Sequence, residues 1–264
     1  QRMSRLQPLV NSLPNGVASR LDQGLSALGV VISAEQREQL LGLLALLHKW
    51  NRAYNLTAVR DVEEMVSRHV LDSAAVAPYV HGPTLLDVGA GPGLPGLVLA
   101  IMKPELQVTL LDSNGKKVRF QRQAVMELAL TNVTPTQARV EQFTGQHFDQ
   151  VISRAFASLV DFVTLTRPLP SANGQWLAMK GPGADDELRN LPEGIELSER
   201  HLLNVPFETA ERPPPFFPWM VMVHFASAWV TSNRSVVPRR NPIRNMLRPS
   251  IHGWQDRKST RLNS

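Results

Sequence analysis

The chain has 264 residues, 43% of them hydrophobic, which is enough for one domain of ordinary size plus a small addition around a real core. It contains no cysteine, which excludes disulfides and thiolate metal sites and makes a reducing compartment the default. The net charge of +5 points to a polyanion only until it is located: residues 207–264 hold nine Lys and Arg against three acidic residues, leaving the first 206 near neutral. Nucleic-acid binding must therefore rest on local patches. No apolar run approaches the ~18 residues of a spanning helix, and Gln1-Arg2-Met3 lacks the pattern of a signal peptide. A cytoplasmic protein without membrane or metal partners is expected.

In chain order, a short helix is expected over Val17–Leu28, stopped by Gly29. Ser33 and Gln36 form a capping box, and Leu40, Leu43, Leu44, Leu47 and Trp50 recur at helical spacing to about Arg52. A polar turn, Tyr54-Asn55-Leu56-Thr57, leads to a second capping box at Asp61 and Glu64. The helix after it carries Met65, His69, Asp72 and Val76 on one stripe and closes at Pro78. Residues 1–80 thus read as an all-helical lead-in.

From Thr84 strand and helix alternate. Strands are expected at Leu85–Val88, Val108–Leu111, Val133–Gln137, Phe148–Ser153, Gln175–Met179 and Ile195–Leu203. Helices fall at Leu94–Met102, Gly115–Leu130 and Ser158–Arg167. Such alternation predicts an α/β domain over residues 81–206, a doubly wound parallel sheet that binds ligands at the carboxyl ends of its strands. Asp87, Asp112, Ser153-Arg154 and Lys180-Gly181 all fall there.

The turn Asp87-Val88-Gly89-Ala90-Gly91-Pro92-Gly93-Leu94-Pro95-Gly96 admits two ligand classes. From Gly91 it is the dinucleotide fingerprint; from Asp87 it is Asp-x-Gly-x-Gly-x-Gly. A carboxylate aimed at a pyrophosphate would repel it, whereas the ammonium and sulfonium of S-adenosylmethionine attract one. Asp112, ending the next strand, suits the ribose hydroxyls of either ligand, so Asp87 favours S-adenosylmethionine, with Gly89, Gly91 and Gly93 giving the backbone close access.

After Pro206 the pattern breaks into seven prolines and scattered Arg. Asp256 to Ser264 resembles translated adapter sequence. Residues 207–264 are expected to be an atypical, disordered or artefactual tail, unpacked from about Thr231. A sheet of this class needs a further apolar strand beside Ile195–Leu203, and the one local candidate is Trp219–Val223.

Several ordered motifs then resemble one family. Leu47-His48-Lys49-Trp50-Asn51, Tyr54-Asn55-Leu56-Thr57, Arg68-His69-Val70-Leu71-Asp72-Ser73, the glycine turn, Leu111-Asp112-Ser113, Lys116-Lys117-Val118-Arg119-Phe120, Arg139-Val140-Glu141, Ile152-Ser153-Arg154-Ala155-Phe156-Ala157 and Lys180-Gly181 are similar to the bacterial 16S ribosomal RNA (guanine-N7) methyltransferase G family, also called glucose-inhibited division protein B. The resemblance covers about residues 25–206. It implies a class I S-adenosylmethionine-dependent methyltransferase (a Rossmann-like doubly wound sheet) with an N-terminal helical extension. It further implies methylation of N7 of a guanine in the decoding-region loop of 16S ribosomal RNA, on naked RNA or a partly assembled small subunit, by a monomer. Its cofactor contacts map to Gly89, Leu94, Val140, Glu141 and Arg154. The family closes its sheet with an antiparallel strand, which this chain's divergence after Val205-Pro206 puts in question.

Guanine N7 carries a lone pair and no proton, so no general base and no catalytic residue is required, only alignment. Candidate RNA contacts are His69, Asp72, Ser73, Lys116, Arg119, Arg122, Arg154 and Lys180. Each has a plainer reading. His69 and Asp72 suit a satisfied structural pair, and Arg68 with Asp72 a surface ion pair worth ~0.3–0.5 kcal/mol. Lys116, Arg119 and Arg122 suit a solvated helix face, Asp112 a helix cap and Glu141 a first-turn acid. A buried Arg154 needs anionic or carbonyl partners, which cofactor and RNA both supply. The alternatives are a class I methyltransferase on another RNA or a small molecule, a nicotinamide oxidoreductase, which Asp87 opposes, and a non-catalytic RNA-binding or ribosome-assembly module.

Overall fold

Leu85, Leu86 and Val88 are at most 2% exposed, so the first strand is buried on both faces, as its unbroken apolar run requires. The computed structural model describes residues 4–154, 156–208, 219–227 and 229. Three helices lead in: α1 (Gln7–Asn11), α2 (Val17–Ala27) and α3 (Ala34–Tyr54). The next helical run is α4 (Val62–Met65), a π-helical turn Val66–Leu71, and α5 (Asp72–Ala74). The α/β part comprises β1 (Thr84–Val88), α6 (Gly96–Met102), β2 (Gln107–Asp112), α7 (Gly115–Glu127), β3 (Val133–Gln137), β4 (Phe148–Ser153), α8 (Leu159–Thr166), β5 (Pro170–Lys180), α9 (Ala184–Leu188), β6 (Ile195–Leu202) and β7 (Trp219–Phe225). No helix among the described residues is long and apolar enough to cross a membrane.

The strands form one sheet in the order β3-β2-β1-β4-β5-β7-β6. The five strands from β3 to β5 are parallel, and β7 runs antiparallel to both β5 and β6. Strand order reverses between β1 and β4, so the carboxyl ends of β1, β2 and β4 frame the crevice.

The lead-in is joined to the sheet and not merely appended to it. The Ser33–Gln36 capping box forms with both reciprocal bonds, at 3.1 and 2.8 Å. Gln36 Nε2 also donates to the carbonyls of Ile101 and Met102 at the end of α6, and Gln39 Nε2 to Leu128 just after α7. One side of α3 thereby satisfies carbonyls that end two sheet-packing helices. Leucines of α3 share one apolar cluster with α6 and α7, so the boundary near residue 80 marks a change of structure within a continuous core. At Asp61 the expected cap is present, its carboxylate accepting the Glu63 amide.

Beyond Pro206 the expected tail is corrected over residues 219–225, where the local strand candidate Trp219–Val223 is found in the sheet. The stretch Trp219–Phe225 is a strand with Met220 to Val223 at most 1% exposed, inserted between β5 and β6. That part of the expected tail is sheet, because an uninterrupted apolar run fits a strand covered on both faces and pairs with β5 and β6 on its two sides. Polar β6 takes the outer edge, its Glu196, Glu199 and Arg200 exposed, which blunts edge pairing. The expectation about residues from Thr231 onward lies outside the described residues.

Truncating Met222, 1% exposed, to Ala should cost about 2–5 kcal/mol by opening a cavity in the sheet core. The same change at Leu202, 57% exposed on the edge strand, should stay within about 0.5 kcal/mol. Urea denaturation of the two variants checks the ranking.

Candidate active site

The site is built from strand ends. Asp87, 1% exposed near the end of β1, accepts the Gly96 amide on Oδ2 at 2.8 Å, tying the strand to the first residue of α6. Its Oδ1 is buried without a hydrogen-bond partner. Burial pushes this carboxyl well above the usual carboxylate range. The Gly96 amide and Arg154 oppose that rise, and the charge of Asp112 adds to it.

Between Asp87 and Gly96 the chain turns through Gly89, Gly91 and Gly93, at φ of 65°, 58° and 96°. A Cβ at Gly93 would collide with Leu97, whereas one at Gly91 would meet nothing within 4 Å, so the turn is packed on one side and open on the other. Asp112 holds this turn against the end of β2: Oδ2 accepts the Gly91 amide and Oδ1 the Asn114 amide, both at 2.8 Å. Gln121, fully buried on α7, donates to the Gly91 carbonyl at 2.6 Å. Leu94 is buried beneath the turn. Val140 and Glu141 follow the end of β3, brought to the same rim by the Ala138 amide, which donates to the Asp112 carbonyl.

Arg154 follows β4 and reaches back to the π-helical turn. Its Nη1 donates to the Arg68 carbonyl at 3.3 Å and to Asp72 Oδ2 at 3.2 Å, and its Nη2 lies 3.3 Å from His69 Nδ1. His69 Nε2 is 2.7 Å from Thr57 Oγ1, and Asn51 fixes that loop by accepting the Thr57 amide and donating to the Val59 carbonyl. On the other side Ser67 donates to Glu208 at 2.8 Å, and Arg68 Nε lies 3.7 Å from the same carboxylate oxygen.

Three expectations need correction. Arg68 and Asp72 do not form a surface ion pair: both are largely buried, Asp72 pairing with Arg154 and Arg68 with Glu208. His69 and Asp72 meet through Arg154 rather than each other. Ser73 is fully buried and donates to the His69 carbonyl one turn back, which leaves it no group for the crevice. Lys116, Arg119 and Arg122 are exposed on α7, which suits a solvated face and RNA contact equally. Lys180, by contrast, lines a cavity at the end of β5. Sequence reasoning passed over Asn51, Thr57 and Gln121 as site residues, although Asn51 and Thr57 stand in a matched motif. Glu208 lay in a stretch set aside as tail.

A mixed sheet of this order, with a glycine turn after β1 and acidic residues ending β1 and β2, is that of a class I S-adenosylmethionine-dependent methyltransferase. A family model described as rRNA small subunit methyltransferase G matches residues 36–214. Two relatives with that name are similar over most of their length. That of Chromohalobacter salexigens is 66% identical over 74% of this chain and 93% of its own. That of Klebsiella pneumoniae is 53% identical over 74% and 94%. Among solved structures, the SAH-bound methyltransferase PaMTH1 of Podospora anserina is 14% identical, with a TM-score of 0.49 over 81% of this chain and 98% of that one. On the family model and the sequence relatives, the chain belongs to the rRNA small subunit methyltransferase G family.

Burial raises the Asp72 carboxyl from 3.8 to about 7, more than the Arg154 guanidinium lowers it, with Glu208 adding to the rise. Between those values the folded protein keeps a proton that the unfolded chain has released, so this group's stabilising contribution is lost as pH rises toward 7. His69 is shifted oppositely, well below its usual value, by burial and by Arg154. Its contribution is therefore lost as pH falls. Replacing Asp72→Asn removes only the first effect. From pH 5 to pH 8 the variant should gain on the parent by more than about 1 kcal/mol, the equivalent of one pKa unit, in urea titrations.

Proposed function

We propose that this chain transfers a methyl group from S-adenosylmethionine to N7 of a guanine in the decoding-region loop of 16S ribosomal RNA, in the cytoplasm, on free RNA or a partly assembled small subunit. The observation that carries the reading is Asp87: a buried carboxylate with one oxygen on the Gly96 amide and the other unpartnered, at the base of a turn open above Gly91. A cation completes such a site, and a phosphate does not.

The residues present fit the cofactor. Asp87 would hold a positive charge of the cofactor, its ammonium or its sulfonium. Asp112, whose oxygens each hold one backbone amide, keeps lone pairs for ribose hydroxyls. Gly89, Gly91 and Gly93 would admit the ligand to the backbone, and Leu94, Val140 and Glu141 would complete the residues that hold it. Arg154, anchored by Asp72 and the Arg68 carbonyl, presents a fixed positive charge beside the switch point. The bound cofactor supplies an activated methyl with its own leaving group. What the protein adds is alignment and exclusion of water, because N7 brings no proton to remove.

Asp87→Asn should weaken binding of S-adenosylmethionine at least about tenfold, an energy within the range for a charge-assisted bond. Because a cation favours the ionised carboxyl, the affinity of the parent should also rise with pH more steeply than that of the variant. Calorimetric titration at two pH values checks both. With both substrates saturating, the single-turnover rate should stay flat from about pH 6 to 9, since no base titrates in the chemical step. A log-linear rise measured by rapid quench would contradict alignment-only catalysis.

A further inference from the structure

Where β5 ends, Lys180 and Glu187 meet at 3.0 Å, and Lys180 Nζ also lies 3.4 Å from the Ala157 carbonyl. The side chains are 11% and 24% exposed, so an ammonium and a carboxylate stand together largely out of water. Beside them is a cavity of about 210 Å³ that Phe156 and Met179 also line. Phe156 stacks on Phe162, and Met179 is 2% exposed, so the cavity has an apolar wall next to a polar edge.

Its place in the sheet assigns it a half of the crevice. The glycine turn, Asp112 and Val140–Glu141 follow β1, β2 and β3, on one side of the switch point. Arg154 and the cavity follow β4 and β5, on the other. The cavity thus lies across the switch point from the turn.

We propose that this cavity receives the guanine to be methylated, with Glu187 accepting from N1–H and the 2-amino group while Lys180 donates to O6. This rests on the reading that the acceptor is guanine. A base taken out of a stack is recognised by hydrogen bonds along its Watson–Crick edge and by packing against apolar or aromatic side chains, and both are present. Guanine alone among the RNA purines sets an acceptor beside two donors on that edge, matching an ammonium beside a carboxylate. Adenine would turn its amino group toward Lys180 and a lone pair toward Glu187, leaving two buried groups opposed. Held by this edge, guanine keeps N7 unobstructed on its other side.

The test uses the full-length protein saturated with S-adenosylhomocysteine, with guanosine, inosine and adenosine 5′-monophosphates as probes in ligand-observed NMR titrations. Guanosine monophosphate should bind about tenfold or more tighter than adenosine monophosphate, the low end of discrimination by one bidentate pair. The inosine nucleotide, lacking the 2-amino group, should fall between. Glu187→Gln, which keeps a partner for Lys180, should erase the preference while S-adenosylhomocysteine affinity stays unchanged. Lys180→Met should weaken the guanosine and inosine nucleotides and spare adenosine. Equal binding of guanosine and adenosine nucleotides by the parent, or an undiminished preference in Glu187→Gln, overturns the proposal. Methylation of 16S RNA by the same preparations tests the underlying reading separately. A parent that prefers guanosine but methylates no 16S RNA keeps the pocket and loses that reading. A Glu187→Gln variant as active as the parent loses the pocket and keeps it.

Discussion

The bond from the Gly96 amide to Asp87 couples the fold to the site. A carboxyl at the end of a strand buried on both faces carries a large desolvation penalty, and one backbone amide offsets only part of it. That same amide belongs to the first residue of α6, so the bond fixes where the helix starts and how tightly the glycine turn must close between. Gly96 has no room for a side chain, since a Cβ there would run into Leu110 and the Asp87 carboxylate. Asp112 repeats the device one strand over, on the Gly91 amide. Two acids that look like ligand groups in the sequence are thus also structural. Under the function proposed above, the unpartnered Oδ1 of Asp87 is the group left for a ligand.

The helical lead-in takes part in the same arrangement. Asn51 at the end of α3 fixes the Thr57 loop, Thr57 meets His69, and His69 and Asp72 flank the Arg154 guanidinium. His69 Nδ1 stands between the Arg68 carbonyl, which needs a proton on it, and Arg154, which needs a lone pair. Burial and the nearby guanidinium keep the ring neutral, so it can satisfy one of the two and not both. The π-helical turn that carries Arg68 and His69 turns both inward toward this cluster, an irregularity of the kind that gathers at functional sites. Glu208 reaches the same turn from the segment after β6. The orientation of Arg154 therefore depends on residues drawn from four separate segments.

That dependence sets what was legible in the sequence. Period and caps gave α3 and the parallel strands, because each is specified locally: the Ser33–Gln36 box by four residues, β1 by one apolar run. The glycine turn and its two acids were legible because chemistry and spacing coincide there. The partners of Arg68 and Asp72 were not, since helical spacing offered each to the other while the fold brought Arg154 and Glu208 from 82 and 141 residues beyond Asp72 and Ser67. β7 was undervalued for a related reason. Its apolar run sits among prolines and reads as an isolated segment, and only the exposed flank of β5 makes it a strand.

Under the function proposed above, one molecule must attract a cationic cofactor and a polyanionic RNA. These need opposite potentials within a short distance, and depth separates them. The acids that face the cofactor, Asp87 and Asp112, are buried at strand ends, while Lys116, Arg119 and Arg122 stand exposed on α7 just beyond the Asp112 turn. Exposed charges act through solvent over roughly a Debye length of ~8 Å, far enough to favour approach of phosphates but weakly enough to leave the buried acids governed by their immediate contacts. Asp87 adds a second safeguard. With its pKa well raised it holds a proton more readily than an ordinary carboxyl, and a neighbouring cation shifts it toward the ionised form. The charge of Asp87 is thus favoured most where a cationic ligand is present to offset it.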